Sequence, residues 1–104
     1  MQRVAFKMRL KAGFEAEYEK RHEAIWPELA AALKEAGISD YSIFLDPETL
    51  VLFAVQKLAP ANTAAALSGR AIMREWWERM KDIMETNPDG SPVCKDLREV
   101  FHLD

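Results

Sequence analysis

The residues best suited to chemistry in this 104-residue chain are two histidines, two tyrosines, three tryptophans and a single cysteine. In the stretch EYEKRHEAIWPEL, residues 17–29, Tyr18 precedes His22 by four positions, one helical turn. A phenol and an imidazole at that spacing share a helix face and point into the same space. Imidazole has an unperturbed pKa of about 6.5, so it can both give and take a proton near neutrality. A histidine on an apolar helical stripe is ordinarily a hydrogen-bonded packing residue. The tyrosine one turn earlier points the other way, toward the lining of a polar pocket. Pro27 lacks the N–H that would bond the carbonyl of Glu23, so the helix must kink there or restart with Pro27 as its first residue.

Trp76 and Trp77 are the second pair of interest. Neighbours on a helix are about 100° apart, so two adjacent indoles cannot both point at the centre of a core. At least one is expected to line an edge or cleft, where its face suits the C–H groups of a sugar or other ring and its N–H suits a hydroxyl. Core bulk is the ordinary alternative. Tyr41 opens a strand and reads either as a pocket residue or as an edge aromatic. His102 falls in an alternating C-terminal segment and reads as structural or interfacial. Cys94 has no histidine nearby in sequence to activate it, so a nucleophilic role has little support. The chain lacks a glycine-rich phosphate loop, a dinucleotide fingerprint and a nucleophile elbow.

These side chains must be positioned by a small number of elements. Residues 3–10 alternate, with Val4, Phe6, Met8 and Leu10 on one side, as a strand does. From Phe14 the period becomes helical: Phe14, Tyr18, His22, Ile25, Leu29, Leu33 and Ala36 fall within an arc of about 100°. Gly37 is placed to end that stripe in a left-handed conformation. Residues 41–46 and 50–58 read as a hairpin around Pro47. The second of these strands is apolar on both faces, Leu50, Leu52 and Ala54 on one and Val51, Phe53 and Val55 on the other. Pro60 sits near the start of the next helical region, and Gly69 separates a short first piece from a longer helix over 70–85. The longer helix carries Met73, Trp76, Trp77, Met80 and Met84 as its stripe. NPDGSP, residues 87–92, is turn chemistry, and REVFHL, residues 98–103, alternates as a last strand. The order βαββαβ predicts a ferredoxin-like α+β domain spanning 1–104, a four-stranded antiparallel sheet with two helices on one face. The doubly apolar strand predicts that a second subunit covers the other face, giving a homodimer.

A net charge of −3 without any basic stripe argues against nucleic acid. No apolar run is long enough for a membrane span, and the charge-dotted N-terminus has no signal-peptide h-region, so a soluble cytoplasmic protein is expected. One cysteine and two histidines provide neither an internal disulfide nor a zinc spacing. Metal is therefore not the favoured reading.

Taken in order, RHEAIWPEL (21–29), YSIFLD (41–46), WW (76–77), NPDGSPV (87–93) and EVFHLD (99–104) resemble the L-rhamnose mutarotase family along nearly the whole chain. The resemblance implies a dimeric α+β barrel of ferredoxin-like units. The implied activity is an isomerase reaction of carbohydrate metabolism, interconversion of the α and β anomers of L-rhamnopyranose without metal or organic cofactor. It also implies that His22 is the proton donor, and that Tyr18, Tyr41, Trp76 and Trp77 bind the sugar. The general base is not identified at this level; a bound water or a tyrosine would serve. Two other readings stand beside it: a cofactor-free oxygenase or haem-handling protein of the same dimeric fold, and a sugar-binding module without turnover.

Overall fold

A computed structural model describes residues 1–104. Its elements are β1 (Gln2–Arg9), α1 (Glu15–Glu23), α2 (Pro27–Glu35), β2 (Ile38–Asp46) and β3 (Val51–Leu58). A 3-10 helix (Ala64–Gly69), α3 (Ala71–Met80) and β4 (Lys95–Leu97) complete the chain. The strands form one antiparallel sheet in the order β2-β3-β1-β4. This is the ferredoxin-like topology, with the first helical position divided in two. No helix is long and apolar enough to cross a membrane.

The division is the work of Pro27, which is the first residue of α2, while Trp26 before it is extended at φ −62° and ψ 129°. A residue preceding proline is pushed out of the α region, so the helix restarts rather than bending. The expected inward stripe begins one turn later than predicted: Tyr18 is buried, whereas Phe14 flanks the helix start and is exposed. At the far end α2 stops where expected. Gly37 has φ +88°, and a Cβ on it would lie 2.9 Å from the Cβ of Asn62 and 3.2 Å from that of Ala59.

The inward sheet face, with Met8, Leu10, Leu52 and Ala54, packs on Tyr18, Leu29, Trp76 and Met80 in the main core. β2 begins at Ile38, three residues before the predicted strand, because it contains a bulge. Ser39 pairs with Lys57 and Ser42 with Val55, which leaves Asp40 and Tyr41 opposite the single residue Gln56. Asp40 takes the left-handed conformation at φ 47°, and its carboxylate lies 3.2 Å from Lys57 Nζ. The extra residue resets the alternation, so that Ile38, Tyr41, Ile43 and Leu45 can all face the helices.

Two predicted elements end differently. The helix predicted over 70–85 stops at Met80. Beyond it the backbone bonds to the end of β1 instead, Lys11 N to Ile83 O at 2.9 Å and Glu85 N to Arg9 O at 3.1 Å. Ile83 and Met84 are still buried, but in a turn and a bridge to Leu10 rather than on the helix. The last strand is not 98–103. It is Lys95–Leu97, paired with Ala5–Lys7, and residues 98–104 have no regular structure and lie exposed. Continuing the pairing would carry the segment past Gln2, where β1 begins, so residues 101–104 have no strand to pair with. Arg3 contacts both His102 and Glu99 in this tail.

At Gly37, replacement by alanine meets both the positive φ and the Asn62 backbone, whose Cα would be 3.1 Å away. Gly37→Ala is expected to destabilise the protein by at least about 1 kcal/mol, read as a lower urea midpoint at unchanged m-value.

Candidate active site

A cavity of about 1530 Å³ lies between the inner sheet face and the helices, and Tyr18, His22, Tyr41, Trp76 and Trp77 all line it. Five residues that the sequence spreads over 60 positions are thus brought to one space. His22 is in the last turn of α1. Its ring stacks on Tyr18 at a centroid distance of 4.2 Å and 29° between planes, and meets Trp76 edge-on at 5.4 Å and 90°. Trp76 is buried and is itself met edge-on by Trp26 at 5.1 Å. Trp77, the other indole, is half-buried against the core. One tryptophan therefore serves as core and backing for the imidazole, while its neighbour lies at the margin, as adjacent positions on a helix require.

The His22 ring is fixed by one hydrogen bond. Nδ1 lies 3.0 Å from the carbonyl oxygen of Tyr18. A carbonyl only accepts, so Nδ1 carries the hydrogen and Nε2 is the bare nitrogen of the neutral ring. Burial holds the pKa of His22 below its ordinary value, partly offset by that carbonyl. At neutral pH the ring is uncharged, with Nε2 as a proton acceptor.

Neither tyrosine shares that property. Burial pushes the Tyr18 phenol far above its ordinary range, with Tyr41 and Cys94 adding to the effect. Burial raises Tyr41 as well, against a lowering by the Gln56 side chain. The ring of Tyr41 is partly solvent-facing, but its hydroxyl end is enclosed. Both phenols stay protonated near neutral pH, so a tyrosine base, one of the options open from sequence, is not favoured here. Cys94 also lines the cavity, with its thiol pushed up by burial and by Asp96. No three His, Cys, Asp or Glu side chains come together as a metal site would require.

Sequence reasoning overlooked the residue that joins α1 to α3. The Arg21 side chain, 9% exposed, reaches across to the C-terminal end of α3. It donates to the Arg79 carbonyl at 2.7 Å and to both oxygens of Asp82 at 2.9 and 3.2 Å, while its Nε bonds Glu17 at 3.0 Å. The last carbonyls of a helix lack partners within it, so the guanidinium satisfies one of them while pairing with two carboxylates. This clamp holds the end of α1, and with it His22, against the helix that carries Trp76. Trp26 and Gln56 were also overlooked. The signal for Trp26 was its place beside Pro27; a glutamine in an otherwise apolar strand was the signal for Gln56.

The fold and the cavity together define a small ferredoxin-like α+β protein whose aromatic-walled pocket is equipped to move protons. Comparison with known proteins is specific. The family model for L-rhamnose mutarotase matches residues 3–103. A Flavobacterium johnsoniae protein named L-rhamnose mutarotase is 60% identical over 102 residues, covering 98% of this chain and 95% of its own. Its Bacteroides thetaiotaomicron counterpart is 58% identical over the full length of both. The crystal structure of L-rhamnose mutarotase from Formosa agariphila superposes over all of both chains with a TM-score of 0.93 at 46% identity. The chain belongs to the L-rhamnose mutarotase family.

Because the clamp ties α1 to α3, Arg21→Ala is expected to lower the melting midpoint by about 4–8 °C. Arg21→Lys recovers little of this, since an ammonium cannot make the two-pronged contact. Arg21 holds the Asp82 carboxyl below its ordinary range of 3.8. The clamp is therefore at full strength above that range and is lost as pH falls through the depressed pKa. Melting curves of wild type and Arg21→Ala should converge at strongly acid pH.

Proposed function

We propose that residues 1–104 act as one mutarotase domain that interconverts α- and β-L-rhamnopyranose, with His22 as the group that moves the proton. The observation that carries this reading is the bare Nε2 of a neutral, buried imidazole set among protonated phenols and indoles. Nε2 takes the proton of the anomeric hydroxyl as the C1–ring oxygen bond breaks and the C1 carbonyl forms. The resulting imidazolium, still held at Nδ1 by the Tyr18 carbonyl, donates that proton to the departing ring oxygen. Both oxygens are bonded to C1, so one nitrogen can serve both. C1–C2 then rotates, and the same steps in reverse close the ring on the other carbonyl face. His22 is thus the proton donor in the second half of a transfer that it begins as acceptor. Tyr18 and Tyr41 donate hydrogen bonds to sugar oxygens, and the indoles of Trp76 and Trp77 pack on its apolar edges, including the C6 methyl.

Two further parts of the proposal concern the assembly and its setting. The outer sheet face carries Phe44 and Phe53 directly opposite one another, 62% and 38% exposed, with Leu97 on the other edge. Val100, Phe101 and Leu103 of the tail are 77–81% exposed. Only 15 of 104 residues are buried within one chain, a small core for independent stability. A second copy of the chain laid on this face would bury these groups and give the homodimer. A cytoplasmic location is supported by the single free cysteine, which suits a reducing compartment.

Saturation-transfer NMR on the H1 resonances of L-rhamnose tests the activity. Wild type is expected to speed exchange between the anomers, and His22→Ala to lose roughly 10²-fold or more of that acceleration. A wild type that binds rhamnose without speeding exchange would point to the binding module; a Soret band on haem titration would favour the haem reading. The exchange rate should rise with pH through a His22 pKa below 6.5 and level off near neutrality, because the reaction starts from the neutral ring. A rate that falls over that interval would sink the acceptor-first sequence. For the assembly, light scattering should give twice the chain mass for wild type, and Phe44→Glu combined with Phe53→Glu should give a monomer.

A further inference from the structure

Among the 15 buried residues, Gln56 is the lone carboxamide in an otherwise hydrophobic set, and only 9% of it is exposed. It follows Leu52 and Ala54 on the inward face of β3, where the pattern calls for an apolar side chain. Its neighbours on that face include Ala54 and its β1 partner Val4, neither of which has a polar side-chain atom to offer. Tyr41 stands across the bulge, but no hydrogen bond joins the carboxamide to the phenol or to any other group of the chain.

In this protein no side-chain nitrogen or oxygen that is sealed from solvent lacks a partner. The Gln56 amide does lack one, so its polar atoms must be open where the residue is not covered. That opening is the cavity, which Gln56 lines together with Tyr18, His22 and Tyr41. A nearly buried amide without a partner costs stability, because the water it gives up is not replaced by a bond within the fold. An oxygen of a molecule held in the cavity would replace it. The amide also narrows the kind of molecule. It is uncharged and carries two N–H donors beside an acceptor, so it matches a hydroxyl, which both gives and takes, better than a carboxylate, which only takes. Neighbouring hydroxyls on a sugar ring would engage both of its sides.

We propose that Gln56 binds the substrate directly, its carboxamide hydrogen-bonded to a ring hydroxyl of the sugar at C2, C3 or C4 while His22 acts at C1. The assignment rests on the mutarotase reading for its ligand, and it makes Gln56 a specificity-determining residue. A buried amide aimed at a hydroxyl rejects the analogue that lacks this hydroxyl, because the amide is then left unpaired.

Calorimetry of wild type and Gln56→Met with L-rhamnose and with its 2-, 3- and 4-deoxy analogues gives a cycle between one side chain and one hydroxyl at a time. Methionine is close to glutamine in length and volume but has no N–H to give and only a weak acceptor. Gln56→Met is expected to raise the Kd for L-rhamnose about three- to tenfold, the scale of one hydrogen bond. For the hydroxyl that Gln56 meets, the affinity that wild type loses with the deoxy analogue should shrink to less than about twofold in Gln56→Met. For the others the loss should be the same in both proteins. The variant should melt at or above the wild-type temperature, since it loses an unpaired buried amide; a clear fall would reveal a partner within the chain and overturn the inference. A second measurement needs no variant. With glutamine selectively labelled with 15N, the side-chain N–H pairs of Gln56 and of Gln2, the chain's only other glutamine and an exposed one, are followed as L-rhamnose is added. The Gln56 pair should shift and exchange more slowly with water, and the Gln2 pair should do neither. The inference is overturned if Gln56→Met keeps the wild-type Kd, if no deoxy analogue shows the coupling, or if the Gln56 pair is unmoved at saturating sugar. Anomer exchange measured alongside separates the two levels. A wild type that neither binds the sugar nor exchanges its anomers overturns the parent reading and this one together; an active wild type without the coupling overturns this one alone.

Discussion

An imidazole occupies a place on α1 where the helical pattern calls for an apolar side chain, and its burial is compensated by a single bond to the Tyr18 carbonyl. Much of the site follows from that arrangement. The carbonyl selects the tautomer, the tautomer leaves Nε2 bare, and burial keeps the ring neutral near pH 7. A ring so held cannot turn to expose Nδ1 without leaving a buried polar group unpaired, which is costly. The same desolvation acts on the phenols in the opposite chemical sense: it protects the proton on Tyr18 and Tyr41 and removes the one on Nε2. One physical effect thereby separates donors from acceptor within a single cavity.

Holding the imidazole there is a problem for the surrounding elements, because α1 is only nine residues long and ends one residue after His22. A helix this short is not stable alone and must be held by its neighbours. Arg21, next in sequence to the histidine but facing a different neighbour, supplies the hold by reaching the end of α3. Trp76 then closes from the α3 side, backed by Trp26 from the link between α1 and α2. Pro27 makes that link possible by ending one helix and opening the next. On the sheet side the bulge at Asp40 resets the strand, so that both the buried Ile38 and the pocket-facing Tyr41 lie under the helices.

The sheet divides the remaining work between its faces. Its inner face carries the core and the cavity. Its outer face sets two exposed phenylalanines opposite one another across β2 and β3, and the tail leaves three further apolar side chains in solvent. The alternation in residues 98–103 predicts a strand of this sheet. Alternation reports only that one side of a segment is meant to be buried; it is silent on which surface does the burying. Within one chain the sheet edge runs out at Gln2, so the pattern goes unanswered there.

The order of elements and the class of fold were legible in the letters, as were five of the side chains that line the cavity. Period two and period 3.6 are local properties, Gly37 and Pro27 carry their own backbone restrictions, and the family motifs lie in short contiguous runs. Helix and strand ends were less legible. Met84 keeps its helical spacing yet sits in a bridge to Leu10, because backbone bonds to β1 compete with continuation of α3. What the tertiary structure alone decided were the properties that depend on partners distant in sequence. These include the clamp from Arg21 to Asp82, the bulge that sets Tyr41 opposite Gln56, and the edge-on contact of Trp76 with His22. The chemical state of the site is of the same kind. A sequence names an imidazole and two phenols, but which of them holds a proton at neutral pH is set by desolvation, and desolvation exists only once the helices have closed over the sheet.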